Sequence, residues 1–325
     1  DEEITEVMVN GANNIFYEKH GKIYKSDKQF SSKEKLDDII QQIAGSNNRM
    51  VNLLNPIVDT RLEDGSRVNI VLNPIAMDGP AITIRKFQNA PLSIDRLIKL
   101  KSITKEAADF LEKLVISGYN IFISGGTSSG KTTFLNVLSN FIPKDQRVIT
   151  IEDSAELSLI GVNNIVRLEM RQANLEGTGA ITIRDLIHSS LRMRPDRLVI
   201  GEVRGAEALD MIQAMNTGHD GCMSTGHGNS ANDMLDRLAT MSLTAMDIPL
   251  NAIKSQIASA IDIIIHLGRV NKEGRKVLEI SEISHFDGNN IILNPLFTFK
   301  PNTGLTSTKN CLIHNDKLYQ HNLST

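Results

Sequence analysis

The sequence has few cysteines, no long apolar run and no surplus of positive charge. Cys222 and Cys311 form no CxxC or CxxH pattern, which argues against a zinc site or a disulfide framework and favours a reducing, cytoplasmic compartment. No apolar run approaches the roughly 18 residues of a membrane span, and no signal peptide is recognisable. The 35 basic and 38 acidic residues give a net charge of -3, whereas a basic surplus is typical of nucleic-acid-binding proteins. We therefore expect neither zinc nor nucleic acid among the partners.

Two regions of the sequence differ in their predicted helices and strands, which indicates two domains. The 325 residues, 41% of them hydrophobic, suffice for two cores. Residues 1–86 read as short strands with one helix, whose apolar positions recur at helical spacing after a serine start. Within this region "RLEDGSRVNIVL" predicts a hairpin that turns at Asp64-Gly65. We expect a small α/β domain here.

A polar stretch, residues 87–93, predicts a linker before a second domain. From residue 94 to residue 300, helical patterns alternate with apolar strands, which predicts a largely parallel sheet covered by helices. Residues 301–325 are polar and aperiodic, so we expect a loosely held tail. Because the chain opens without methionine, we expect it to be a fragment of something longer.

The stretch "IFISGGTSSGKTTF" matches the phosphate-binding P-loop. Gly125, four further residues and then Gly130-Lys131-Thr132 satisfy GxxxxGK[ST], between an apolar strand and a helix. Glycines let backbone N–H groups surround a phosphate, and the helix N-terminus adds its positive end. Lys131 is expected to reach the β- and γ-phosphates and Thr132 to ligate Mg²⁺. The predicted nucleotide-binding residues are Gly126, Thr127, Ser128, Ser129, Gly130, Lys131, Thr132 and Thr133.

Carboxylates follow two further apolar strands. "RLVIGE" ends in Glu202, which we expect at the carboxyl end of a parallel strand neighbouring the P-loop strand, as a general base. The alternative is a surface glutamate at a strand end. "RVITIEDSAEL" ends in Glu152 and Asp153. We expect Glu152 to help hold Mg²⁺ or the bound water, and the alternative is an ordinary acid at a helix N-terminus.

The motifs together resemble a known family. "GGTSSGKTT", "TIEDSAEL", "RPDRLVIGEVRGAEALDMIQAMNTGHDG" and "STGHGNS" stand in the order of the Walker A, Asp box, Walker B and His box of the secretion ATPase superfamily, which serves type II secretion, type IV secretion and type IV pili. "TEVMVNG", "RLEDGSRVN" and "TIRKF" are most similar to its CpaF-like, tight-adherence (Tad/Flp) pilus branch. Two departures are Ser128, where glycine is frequent, and "STGHGNS" in place of "STVHANS". The tetracysteine zinc element of the type II branch is absent.

Two histidines flank the strand "CMST". His227 leaves its carboxyl end, where α/β sheets bind ligands. The resemblance places it in the His box, which couples nucleotide state to the rest of the subunit. His219 lies in the turn before the strand, and we expect it to brace that turn.

Two arginines of the first domain are candidate arginine fingers. Val68, Ile70 and Leu72 share one strand face, which leaves Arg67 on the other, and Arg85 likewise points away from the apolar face of its strand. The resemblance supports a role on the γ-phosphate, because family members use arginines of this domain in that way. The alternative is a solvated strand face. Arg204, beside Glu202, is a candidate inter-subunit contact.

The resemblance implies a RecA-like P-loop ATPase domain preceded by a smaller α/β (PAS-like) domain, assembling into a ring that is expected to be a hexamer. It implies Mg²⁺-dependent hydrolysis of ATP that powers secretion or pilus assembly, with an inner-membrane platform protein as partner. We expect a cytoplasmic protein held at the membrane by that partner. Two alternatives stay open: a nucleic-acid translocating motor, and a slow nucleotide-gated scaffold.

Overall fold

The computed structural model of the chain describes residues 1, 3–47, 49–86, 92–173, 178–271, 273–301 and 303–323. The chain divides into two compact units, Asp1–Ala90 and Pro91–Thr325. Residues 87–91 of the predicted linker lie outside the described residues, and the exact domain limits stay a prediction. Within the described ranges, no helix is both long and apolar enough to span a membrane.

The first unit is an antiparallel sheet with one helix. Its strand order is β3-β2-β1-β6-β5-β4. The elements are β1 Ile4–Asn10, β2 Ile15–Lys19, β3 Lys22–Lys25, α1 Lys33–Ser46, β4 Ile57–Arg61, β5 Arg67–Val71 and β6 Ala81–Arg85.

Local sequence explains these elements. The Ser32 side chain caps α1 by accepting from the Lys35 backbone N–H at 3.2 Å. Residues one helical turn apart, including Leu36 and Ile40, are buried against the alternating apolar residues of the sheet. The predicted hairpin is confirmed as β4 and β5, with Gly65 at a φ of 84° in the turn.

The second unit holds a nine-stranded sheet in the order β15-β14-β13-β12-β7-β11-β10-β8-β9. Its strands are β7 Ile121–Gly125, β8 Val148–Glu152, β9 Ile165–Glu169, β10 Arg197–Ile200, β11 Met223–His227, β12 Ile263–Val270, β13 Gly274–Phe286, β14 Ile291–Lys300 and β15 Gly304–Ser307. The helices are α2 Ile94–Lys99, α3 Lys105–Ile116, α4 Lys131–Ser139, α5 Ile183–Ser190, α6 Glu207–Asn216, α7 Ala231–Leu243, α8 Leu250–Ala260 and α9 Asp316–Gln320.

Six of these strands, from β12 through β7 to β9, are parallel, as predicted. Alternating side chains of β7 enter two separate cores, because successive residues of a strand point to opposite faces. Ile121 and Ile123 pack with α3 and α4, whereas Phe122 packs with α7 and α8. Helices therefore cover both faces of the parallel sheet, and the β7 strand is buried throughout.

The expectation of alternating helices and strands up to residue 300 is wrong for its last part. β12, β13, β14 and β15 form an antiparallel meander on the parallel sheet. The described chain has no helix between these strands, so each one returns through a short turn, and only antiparallel pairing permits that.

The expectation of a loosely held tail after residue 300 is also wrong. Leu305, Leu312 and Leu318 are buried in the core of the second unit. Glu282, which is only 1% exposed, accepts the backbone N–H groups of Ile313 and His314 at 2.8 and 2.7 Å. A buried carboxylate needs such hydrogen-bond donors. Because the segment after residue 300 supplies them, these hydrogen bonds fix it to the sheet.

Candidate active site at the carboxyl edge of the parallel sheet

The P-loop connects β7 to α4, as the motif predicts. Gly125, the last residue of β7, has no space for a side chain, since a Cβ there would lie 2.6 Å from both the Leu267 carbonyl oxygen and Ser129 Oγ. This close approach of two backbones requires glycine.

Two loop residues adopt left-handed backbone conformations. Gly130 caps α4 with a φ of 96°, and Ser128 has a φ of 59°. Glycine reaches this region without steric cost, whereas an L-residue such as serine is disfavoured there. The serine that departs from the family pattern therefore occupies a conformation that glycine adopts more easily, and the loop keeps its turn.

Lys131 is buried beneath the loop. It is 7% exposed, and its Nζ donates to the Gly126 carbonyl at 3.1 Å. Burial lowers the pKa of Lys131, while the negative charge of Glu202 acts in the opposite direction. Ser129 Oγ is also buried, and it has no hydrogen-bond partner among the described residues. The loop thus holds a cation and an unused hydroxyl at its centre.

Glu202 lies two strands away from the P-loop strand and not, as expected, on a neighbouring one. β11 separates β7 from β10, the strand that leads to Glu202. Thr225 of β11 holds the Gly201 carbonyl through its Oγ1 at 2.8 Å. Because all three strands are parallel, their carboxyl ends still meet at one edge of the sheet.

The carboxylate of Glu202 contacts two basic side chains. Its Oε2 accepts from Nε and Nη2 of Arg204 at 3.0 and 2.7 Å. Its Oε1 is in contact with Nδ1 of His227. Arg204 also reaches Asp153 at 3.4 Å. Arg204, a candidate inter-subunit contact from the sequence, binds Glu202 within its own subunit.

Glu152 is buried at the end of β8, 3% exposed. Its Oε2 accepts the backbone N–H groups of Glu156 and Leu157 at 2.7 and 2.9 Å and so fixes the following loop. Its side chain also packs on Gly201, where a Cβ would lie 3.2 Å from Glu152 Cγ. The structure therefore places Glu152 beside Gly201, the residue that precedes Glu202, and the role of Glu152 toward Mg²⁺ stays a prediction.

His227 and His219 lie at opposite ends of β11. His227 pairs in register with Gly125, the residue that opens the P-loop. His219 lies in the turn before the strand, where its carbonyl accepts from Cys222 Sγ at 3.0 Å and its Nδ1 is 3.4 Å from Thr217 Oγ1. His227 is therefore next to both the P-loop and Glu202, and His219 is next to neither.

Arg67 and Arg85 face each other across β5 and β6. Val68, Ile70 and Ile82 of these strands are buried, whereas Arg67 is half-buried and Arg85 exposed. The two arginines therefore lie on the same face of the sheet, as the alternation of side chains along each strand predicts. Their role toward phosphate stays a prediction.

A cavity of about 190 Å³ adjoins the start of α4. Its walls come from the P-loop, α2 and the turn between β12 and β13. They include Ser129, Gly130, Thr133, Phe134, Leu92, Leu97, Leu100, Leu267 and Arg275. Four leucines and Phe134 give the cavity apolar walls beside the P-loop, and Glu273, Arg275 and Lys276 add charged side chains to its rim.

Comparison with known proteins identifies the family. The family model described as "Type II/IV secretion system protein" matches residues 1–305. The chain belongs to this family.

Individual relatives agree with the family match. The chain is 30% identical over 305 residues to the type IV secretion system protein PtlH of Bordetella pertussis, a match that covers 86% of this chain and 90% of PtlH. It is 31% identical over 291 residues to a putative conjugal transfer protein of Mycobacterium tuberculosis, covering 87% of this chain and 82% of that protein. The crystal structure of the ATPase DotB from Legionella pneumophila shares its fold, with a TM-score of 0.62 at 22% identity over 87% of this chain and 78% of DotB.

Within this secretion-family fold, the candidate site residues from the sequence are divided between the two units. The P-loop, Glu202 and His227 meet at one edge of the sheet, and Glu152 lies behind them. Arg67 and Arg85 belong to the other unit. Sequence patterns gave no sign of Arg275, whose Nε donates to the Ser128 carbonyl at 3.0 Å across 147 positions of the chain. A contact between residues so far apart leaves no local pattern to detect.

Proposed function

We propose that this chain is a Mg²⁺-dependent ATPase whose hydrolysis of ATP drives a secretion or pilus-assembly machine at a membrane. The observation that carries the proposal is the meeting of a phosphate-binding loop with Glu202 and His227 at one edge of a parallel sheet. A nucleotide-binding fold without hydrolysis needs only the loop, whereas a carboxylate at this position also provides a group to activate water.

The loop fits a polyphosphate. Lys131 Nζ is bound to the Gly126 carbonyl oxygen, which occupies the place of a phosphate oxygen as a hydrogen-bond acceptor. Ser129 Oγ is a buried donor without a partner in the described chain. Gly130 adds a helix N-terminus. When ATP binds, the Lys131 ammonium would move from the Gly126 carbonyl to the β- and γ-phosphates. It would thereby exchange a neutral hydrogen-bond acceptor for a charged one.

The adjoining cavity suits the base of the nucleotide. Its leucine walls offer apolar contact for a planar ring, and Thr133 connects it to the phosphate loop. We place the base there.

Mg²⁺ fits the same edge of the sheet. Thr132 offers a hydroxyl in the first turn of α4, and Glu152 packs its Cγ on Gly201 while its Oε2 accepts two backbone N–H groups. The ion, when bound, neutralises charge on the phosphates and polarises them. Glu202 would position or deprotonate the attacking water, and for this its carboxylate must exchange the bonds from Arg204 for one to the water. His227, in contact with Glu202 and beside the P-loop, would report the state of the phosphates to the subunit.

Further parts of the proposal rest on the family. Arg67 and Arg85 would act as arginine fingers that neutralise charge developing on the γ-phosphate. We propose a homohexameric ring that works at the cytoplasmic side of a membrane against an inner-membrane platform protein. The motifs "TEVMVNG", "RLEDGSRVN" and "TIRKF" of the first domain support the tight-adherence pilus branch.

Phosphate release measured with and without Mg²⁺ tests the proposal. The protein should release phosphate from ATP only with Mg²⁺. Lys131→Ala should lose nucleotide binding itself, because it removes the buried charge that faces the phosphates. Lys254→Ala is a matched control, since Lys254 is also largely buried but pairs with Asp236 on another helix. Binding without turnover in the unaltered protein would favour the slow scaffold, and salt-dependent binding of single-stranded DNA would favour a nucleic-acid motor.

A further inference from the structure

The P-loop contains an unfavourable backbone conformation that something must hold. Ser128 has a φ of 59°, in the left-handed region. A serine there is disfavoured relative to extended or right-handed conformations. Because Ser128 is exposed, burial of its side chain does not fix it. An isolated loop with this sequence would therefore populate other shapes, in which the N–H groups no longer converge.

One side chain from outside the loop contacts this position. Arg275, the second residue of β13, donates from Nε to the Ser128 carbonyl at 3.0 Å. The same side chain lies against Gly130, where an added Cβ would be 3.3 Å from Arg275 Cδ. The arginine thus touches the loop at both of its left-handed residues, and its hydrogen bond fixes the peptide unit that follows Ser128.

The strand that carries Arg275 is hydrogen-bonded into the main sheet. Arg275 pairs with Arg269 in the antiparallel ladder of β12 and β13, and β12 pairs in parallel with β7. Leu267 of β12 is in register with Gly125, the residue at the other end of the loop. The hairpin therefore contacts the loop at its start through β12 and near its end through Arg275.

We propose that Arg275 is a positioning residue that holds the P-loop of its own subunit in the phosphate-binding shape by fixing the left-handed Ser128. The proposal rests on the proposed ATPase function. The proposal explains why serine is tolerated at position 128. The hydrogen bond from Arg275 holds the left-handed conformation, which glycine would adopt without such a contact. Arg275 also lines the cavity proposed for the base, and the Ser128→Gly background separates a direct contact with the base from an action through the loop.

The test compares four proteins: unaltered, Arg275→Ala, Ser128→Gly and the double variant. Arg269→Ala is the matched control, because it removes the same charge from the paired position of the same hairpin. The readouts are hydrogen exchange of the P-loop amides without nucleotide, and KM and kcat for ATP. Arg275 is exposed, so the variants should fold, and melting temperatures check this.

Arg275→Ala should speed exchange at residues 126–131 and raise KM by roughly two- to tenfold, the equilibrium effect of one hydrogen bond, with kcat nearly unchanged. In the Ser128→Gly background the same replacement should change KM and exchange much less, because glycine adopts the left-handed conformation unaided. Arg269→Ala should behave as the unaltered protein.

Unchanged exchange and KM in Arg275→Ala would overturn the proposal. An equal loss in both backgrounds would also overturn it, since Arg275 would then act on the nucleotide directly. If the unaltered protein shows no turnover, the proposed function fails, while hydrogen exchange without nucleotide still decides the role of Arg275.

Discussion

Replacing Glu202 by glutamine tests the chemical step with little disturbance of the fold. Glutamine has the shape of glutamate and keeps one oxygen that can accept from Arg204, which now donates at 3.0 and 2.7 Å. It loses the negative charge and the ability to take a proton from water. The variant should bind ATP with an affinity close to that of the unaltered protein, because Lys131 and the loop supply the contacts to phosphate.

In Glu202→Gln the expected loss of rate is much larger than the expected loss of stability, so the two can be told apart. A positioned acid–base group contributes roughly 10²- to 10⁴-fold to a rate, which corresponds to about 3–5 kcal/mol of the barrier at about 1.4 kcal/mol for each factor of ten. Glu202 is 15% exposed and contacts Arg204 and His227, whose side chains are 61% and 37% exposed; each contact contributes about 0.2–1 kcal/mol to stability. The melting temperature should therefore fall by at most about 8 °C.

Steady-state phosphate release, nucleotide binding and thermal unfolding measured on the same preparations check these values. Asp153→Asn is the control, because Asp153 is the other carboxylate that contacts Arg204, at 3.4 Å. It should keep turnover within about threefold, the scale of one exposed ion pair. Near-normal hydrolysis in Glu202→Gln would refute the assignment and move the role to Glu152. A drop in melting temperature well beyond that range would mean that the variant reports on folding.

Three further predictions concern the arginines, the histidines and the cavity. Arg67→Ala and Arg85→Ala should each slow hydrolysis with little change in melting temperature, because exposed strand charges contribute little stability; wild-type rates in both would restore the solvated-face interpretation. His227→Ala should bind ATP normally but hydrolyse it more slowly and show less difference in hydrogen exchange between its ATP and ADP forms, whereas His219→Ala should mainly melt earlier; if both only melt earlier, the strand ends are structural. Leu100→Trp, which fills the cavity from an exposed wall position, should weaken ATP binding but not tripolyphosphate binding; equal weakening of both would place the base elsewhere.

Much of the site could be predicted because its signals are local. A P-loop is defined by the backbone of consecutive residues, so Gly125 to Thr133 can be located without any tertiary information. The alternation in β5 and β6 likewise predicts which face carries Arg67 and Arg85, because the period of a strand is a local property. Glu202 and His227 follow apolar strands, and the ordered motifs place them at strand ends.

The order of the strands depended on the tertiary structure. Sequence predicts parallel strands but not that β11 lies between β7 and β10, because strand order is set by packing between distant segments. The antiparallel return of β13 to β15 was missed for a related reason: a rule based on helix and strand alternation fails where turns replace helices. The polar segment after residue 300 is held by buried Glu282, an acceptor that composition does not reveal.

The sequence by itself determined the P-loop motif and the apolar strands that carry Glu202 and His227, and so predicted the chemistry proposed for them. Only the tertiary structure decided which charges meet, because hydrogen bonds and ion pairs act over about 3 Å and join residues with no fixed separation along the chain. Arg275 binds the loop at Ser128, 147 positions away. Glu202 meets His227, 25 positions away, because the parallel strands β10 and β11 end at one edge of the sheet.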